Sequence, residues 1–242
     1  MLPSAKPART EVVKKAPRRT AERILTSALQ LFNRFGEPNV ATTLIASDLG
    51  ISPGNLFYHY PSKERLVNTL FEGYQAEMLH LLPAAQDVNN MEDTWFFMHS
   101  LFELVWRYRF MYRDLNDLLS KNRHLEGQVK QILALKEAAF QTLLVKLSQA
   151  DLLTQTETER GYCATQMVVM LTWWLSYAYV RNPRQALEDN SAAHSVLHGA
   201  QQVLGLMLPY LNTQPKSQLL GLLTVYQAPD HACEDTVSAS PP

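Results

Sequence analysis

Gly50-Ile51-Ser52-Pro53-Gly54 satisfies the G-x-S-x-G spacing of a hydrolase nucleophile elbow, so the first chemistry to weigh is a serine attacking a carbonyl. Such an elbow needs a strand before the serine and takes the N–H of the next residue as an oxyanion donor. Here Ile45, Ala46 and Leu49 space as one face of a helix, and Pro53 has no N–H to give. Serine catalysis is excluded, and no catalytic residue is assigned anywhere in the chain. The residues that follow suit a different chemistry. Asn55 carries a carboxamide of the kind that pairs with adenine edges, Phe57 an apolar face for a thymine methyl, and Tyr58 and His59 donors for phosphate oxygens. Ser52 and Pro53 belong to the same contact set. Thr42 and Thr43, near an earlier helix start, and Lys63, opening a later helix, are phosphate candidates by the same geometry. The plainer alternative is that Tyr58 and His59 only cap and pack.

Three short helices must position these groups, and their boundaries are written in residues 39–66. Gly50 stands where the first helix ends, because glycine takes a left-handed closing residue without strain. Ser52 offers a cap to the next helix, Pro53 fits its first position, and Pro61-Ser62 stops it at Tyr60 and starts a third with Lys63-Glu64-Arg65. Helix, tight turn, helix is the grammar of a helix-turn-helix, in which the second helix presents side chains to a major groove. Upstream, Ile24, Leu25, Ala28, Leu31, Phe32 and Phe35 recur at helical spacing and Gly36 ends the run, which predicts a supporting helix over 20–35.

Ile45-Ala46, Gly50-Ile51-Ser52, Gly54-Asn55-Leu56-Phe57-Tyr58-His59-Tyr60 and Ser62-Lys63-Glu64-Arg65-Leu66 together resemble the DNA-binding signature of the tetracycline-repressor (TetR) family. The resemblance spans about 20–70. It implies a homodimeric, ligand-responsive transcriptional regulator, in the main a repressor, that grips a palindromic double-stranded operator. It implies too that the last two long helices form a four-helix dimer interface and that motion of the third helix is the switch. Three positions depart from the family pattern: Ala41-Thr42 where a threonine pair usually opens the second helix, Phe57 in place of Tyr, and Tyr60 in place of Phe. The Phe57 change removes a hydroxyl that in the family often touches phosphate. A protein-interaction or adaptor role, keeping the fold without operator binding, is the alternative.

The chain has 242 residues, 46% of them hydrophobic, enough for a substantial core. Its formal net charge of −1 hides a split: ten Lys/Arg face five Asp/Glu up to Leu70, and twelve face eighteen beyond it. A basic module therefore precedes an acidic one, as expected if only the first part meets a polyanion. Cys163 and Cys233 are far apart with no Cys-x-x-Cys, so neither a metal site nor a disulfide framework is suggested, and no cofactor is expected. No apolar segment follows the basic N-terminus as in a signal peptide, and the expected compartment is the cytoplasm.

The expected organisation is all-α: a flexible basic arm over 1–19, a helix-turn-helix DNA-binding domain over 20–70, a helical effector-binding and dimerisation domain over 71–226, and a loose tail over 227–242. The third helix is expected to run on to about Leu82, before Pro83, and helices are expected over 91–112, 114–120 and 124–150. No Asp, Glu, Lys or Arg occurs over 161–180 or 190–215. Gln166, Thr172, Ser176, His194, His198, Gln201 and Gln202 interrupt these stretches, which argues against membrane spans. They read instead as two helices covered by their own domain and a second copy, with Ala192, Ala193, Gly199, Ala200 and Gly205 allowing close approach. Trp95, His99, Phe102, Glu103, Trp106, Trp173, Trp174 and Tyr177 are the candidates to line a pocket for a small apolar or amphipathic effector. His99, Glu103 and Arg107, spaced four apart, would be its polar handles or else a solvated helix face.

Overall fold

The computed structural model describes residues 15–183 and 191–225, with side chains over 18–183 and 191–224. The described residues are α-helical apart from short turns and one isolated antiparallel bridge between Leu153 and Leu211. The chain divides into two compact units, Met1–Gly73 and Tyr74–Pro242.

The first unit holds α1 (Lys15–Phe35), α2 (Thr42–Asp48), α3 (Pro53–His59) and the opening of α4 (Lys63–Leu81), with a 3-10 turn over Glu37–Asn39. Ile24, Ala28 and Phe32 of α1 are fully buried with Ile45 and Leu56, so the spacing that predicted one apolar face is the face that packs. Phe35, counted on that face, is instead 44% exposed with the Arg34 guanidinium 5.0 Å over its ring. The helix begins at Lys15, five residues inside the expected arm. Pro17 lies in the first turn, where a missing N–H breaks no helical bond. The rest of the arm, and the tail over 227–242, lie outside the described residues.

The second unit comprises the end of α4, a 3-10 turn over Leu82–Gln86, α5 (Met91–Arg107), α6 (Arg109–Arg113), α7 (Leu115–Lys121), α8 (Arg123–Gln149), α9 (Glu157–Arg181), α10 (Ala192–Gly205) and α11 (Thr213–Val225). In its core α5 packs on α10 and α11, and α9 on α8, α10 and α6. The single helix expected over 91–112 is broken at Tyr108, whose φ of −111° and ψ of 32° leave the helical region. No proline or glycine marks the break; the Tyr108 hydroxyl donates to Glu77 Oε1 at 2.8 Å, a tertiary bond with no local signal.

The stretch 190–215 is not one helix either. Pro209 cannot continue a helix ladder, and the chain turns from Leu206 to Asn212, where Asn212 Nδ2 donates to the Asp151 carbonyl at 2.7 Å. Gly199 and Ala200, expected to allow close approach of neighbouring helices, face inward. Ala200 is fully buried, and a Cβ on Gly199 would come within 2.2 Å of the Phe102 ring of α5. The close approach is made inside the subunit.

Candidate nucleic-acid interface

The turn between α2 and α3 is built as its residues dictate. Gly50 has φ +64°, and the Ile51 N–H reaches back to the Ala46 carbonyl at 3.0 Å, which closes α2 and aims the chain into the next helix. Ser52 then caps α3, its Oγ accepting from the Asn55 N–H at 3.2 Å, and Pro53 takes the first position. Ser62 does the same for α4, accepting from the Arg65 N–H at 3.1 Å. α2 starts at Thr42 with Ala41 as its cap residue, so the pair that opens it is Thr42-Thr43, one residue later than Ala41-Thr42.

Two tertiary bonds fix this turn against α1. Ser27 Oγ donates to Asp48 Oδ2 at 2.7 Å, and the Tyr60 hydroxyl donates to the Ala21 carbonyl at 3.4 Å. Tyr60 is buried, and burial pushes its phenol above the usual range. Its hydroxyl is therefore a structural donor within the unit, which explains a tyrosine where the resembled family has phenylalanine.

With Leu56 buried beneath it, α3 presents Asn55, Phe57 and Tyr58 outward; Phe57 is 46% and Tyr58 79% exposed. His59 is half-buried and meets the Tyr58 ring edge-on at 5.1 Å. Ser52, Pro53 and Thr43 are exposed and Thr42 half-exposed. Lys63 differs from these. Its ammonium donates to the Glu37 carbonyl at 2.7 Å and pairs with the Glu37 carboxylate at 2.9 Å, tying α4 to the 3-10 turn after α1. Sequence reasoning missed this partner, because nothing local links positions 37 and 63.

The eight effector candidates do not share one environment. Trp95 and Phe102 are buried, Trp95 stacked on His99 with ring centroids 6.1 Å apart. Glu103 is exposed and reaches the half-buried His99 at 3.4 Å; Trp106 is half-exposed under the Arg109 guanidinium. Trp174 donates from Nε1 to the Ser195 carbonyl at 3.1 Å. Trp173 and Tyr177 point out of the unit, 40% and 52% exposed. They continue a line along α9 with Tyr162, Val169 and Val180, whose spacings of seven, four, four and three place all five on one face.

The polar group that sequence reasoning overlooked is Lys136. It occupies a place in the apolar series Leu125, Val129, Ile132 and Phe140 of α8, and that intrusion of a lysine was the available signal. Lys136 is 2% exposed and donates to the Tyr112 hydroxyl at 3.0 Å; that hydroxyl in turn shares a 2.5 Å hydrogen bond with Tyr74 of α4. Burial pushes both phenols upward and draws the Lys136 ammonium down to about 7.

Among the described residues no group of three or more His, Cys, Asp or Glu is placed to hold a metal, and no helix is long and apolar enough to cross a membrane. Comparison with known families matches residues 24–70 to bacterial regulatory proteins of the tetR family and residues 73–219 to the TetR bacterial transcriptional repressor model. A TetR-family transcriptional regulator from Marinobacter aquaeolei VT8 is 30% identical, covering 86% of this chain and 99% of its own, with a TM-score of 0.74. CprB, a TetR-family protein from S. coelicolor A3(2), is 14% identical over 87% of this chain and 98% of its own (TM-score 0.63). A tetR-family bacterial regulatory protein from Rhodococcus RHA1 is 20% identical over 79% and 98% (TM-score 0.54). The comparison with curated proteins gave no match.

Proposed function

Because the chain belongs to the TetR family of bacterial transcriptional regulators, we propose that it represses transcription as a homodimer on a palindromic operator and lets go when its second unit binds a small apolar or amphipathic molecule. The observation that carries the DNA-binding half is α3 itself, a Ser52-capped helix anchored by Leu56 whose exposed side chains include a carboxamide, an aromatic ring and a phenol. In this reading Asn55 and Phe57 touch base edges, while Tyr58, His59, Thr42 and Thr43 hold phosphates. Lys63 has a smaller share in binding, since Glu37 offsets its charge.

Footprinting on DNA upstream of its own and neighbouring genes is the direct test. The expected result is protection of a two-fold symmetric site, with half-sites about one helical turn apart. Absence of any sequence-selective footprint, with the dimer intact, would replace this reading with that of a protein-interaction module.

A further inference from the structure

Lys136 lies deep in the second unit with its charge unmatched. Among the described residues its one hydrogen-bond partner is the Tyr112 hydroxyl, and no carboxylate comes within ion-pair distance. The Tyr112 ring lies 5.0 Å from Nζ, and the phenol already engaged with Tyr74 is itself neutral. An ammonium has three donors. Two of them therefore lack a protein acceptor at a position that is 2% exposed, an arrangement that costs free energy unless something supplies oxygens and negative charge. Were packing alone required, a methionine would fill the same volume without that cost.

The surroundings say what shape that something has. One turn to either side of Lys136 along α8 stand Ile132 and Phe140, both buried, and Phe140 meets Phe97 of α5 edge-on with ring centroids 6.5 Å apart. A neutral molecule can accept a hydrogen bond from the ammonium, as Tyr112 does, but brings no charge to balance it; a cation would be repelled, and a small hydrated anion has nothing to offer the apolar and aromatic walls.

We propose that Lys136, with Tyr112 and Tyr74, forms the head-group subsite for a small apolar acid, whose carboxylate pairs with the ammonium and whose body lies against Phe97 and Phe140. The inference rests on the reading of the second unit as an effector domain and narrows the effector to a class. Tyr74 makes the subsite consequential. It stands on α4, the helix that begins in the first unit, so a carboxylate that recruits Tyr112 or Lys136 changes what Tyr74 is bonded to.

The test uses full-length protein and three probes with one body: phenylbutanoate, phenylbutanol and phenylbutylamine, titrated by calorimetry. The acid is expected to bind at least about tenfold tighter than the alcohol, the margin of a charge-assisted hydrogen bond over a neutral one, with the amine weakest. Lys136→Met should abolish that preference while leaving alcohol binding in place, and Tyr112→Phe, which keeps the charge, should retain the preference for the acid. Equal affinity for acid and alcohol in the wild type, no binding of either, or a preference that survives Lys136→Met would each overturn the proposal, the first two without any variant needing to fold. Operator affinity, measured in parallel, separates the two readings: an acid that binds through Lys136 yet leaves DNA binding unchanged supports the subsite and removes its regulatory role.

Discussion

Lys63 and Asn55, both first read as DNA contacts, differ in what their side chains are bonded to within the protein. Asn55 spends only its backbone N–H within the protein, on the Ser52 cap, whereas Lys63 spends its side chain on Glu37. Asn55→Ala should therefore leave thermal stability unchanged and alter preference among operator variants. Lys63→Ala should lower stability by about 1–2 kcal/mol, because a half-buried ammonium with two oxygen partners is lost. Thermal melts and competition gel shifts on both variants check this, and a destabilised Asn55→Ala beside an unaffected Lys63→Ala would reverse the assignment. Lys136 supports a pH prediction. Its amine is held near 7 when folded against an ordinary 10.5, so between those values the unfolded chain binds more protons, and the contribution of Lys136 to stability rises with pH. The raised phenols of Tyr74 and Tyr112 act the other way only above about 10. Urea melts from pH 7 to 10 should show a positive slope from this residue, and Lys136→Met should remove that part of it. Identical pH slopes in the two proteins would mean the ammonium is solvated in solution.

At the scale of elements, two glycines fail on substitution for opposite reasons. Gly50 has open space around its missing Cβ but a φ of +64°, so Gly50→Ala should cost about 1–2 kcal/mol through the backbone alone. Gly199 is an ordinary helical residue whose Cβ would strike Phe102, so Gly199→Ala should cost about 1–3 kcal/mol through overpacking. The discriminating measurement is a second substitution. Phe102→Leu should relieve the Gly199→Ala defect in part, and should add to the Gly50→Ala defect without coupling. The contrast also shows what could be read in advance. Gly50, Ser52, Pro53 and Ser62 specify α2, α3 and the start of α4 through bonds reaching at most five residues, so the helix-turn-helix was legible from its own residues. The break at Tyr108, the inward turn of Gly199 and the pairing of Lys63 with Glu37 depend on partners 26 to 97 positions away, and no local pattern encodes them. The α9 cap lies between these cases: Thr156 and Glu159 form a reciprocal capping box, a four-residue signal present in the sequence that helix spacing alone passed over.

The whole molecule must reconcile a basic first part with a net charge of −1, and it does so by keeping the acidic excess beyond Leu70. If two first units neutralise six to ten phosphates, operator affinity should fall by about 10³ to 10⁵ between roughly 50 and 200 mM salt, and a titration with almost no slope would contradict DNA binding as the role. The last expectation concerns the face of α9 that bears Tyr162, Val169, Trp173, Tyr177 and Val180. Val180 is 80% and Tyr162 69% exposed, so five large apolar side chains stand in water along one helix. A contiguous patch of that kind marks an interaction site, and a two-fold contact would hide it by matching the helix with its own copy. Ala200, fully buried in its own subunit, cannot report on such a contact; Val169, half-exposed at the middle of the line, can. Val169→Glu would set a carboxylate in each copy of an apolar interface, about three turns along α9 from Arg181, whose guanidinium lies over the Tyr177 ring at 5.9 Å, whereas in a monomer it would simply improve solubility. Sedimentation should therefore give a dimer for the wild type and half that mass for Val169→Glu. Operator affinity should drop with it, because a lone first unit loses the roughly 10²–10⁴ advantage of gripping two half-sites at once. A Val169→Glu protein that stays dimeric and keeps its operator would place the two-fold contact on another face.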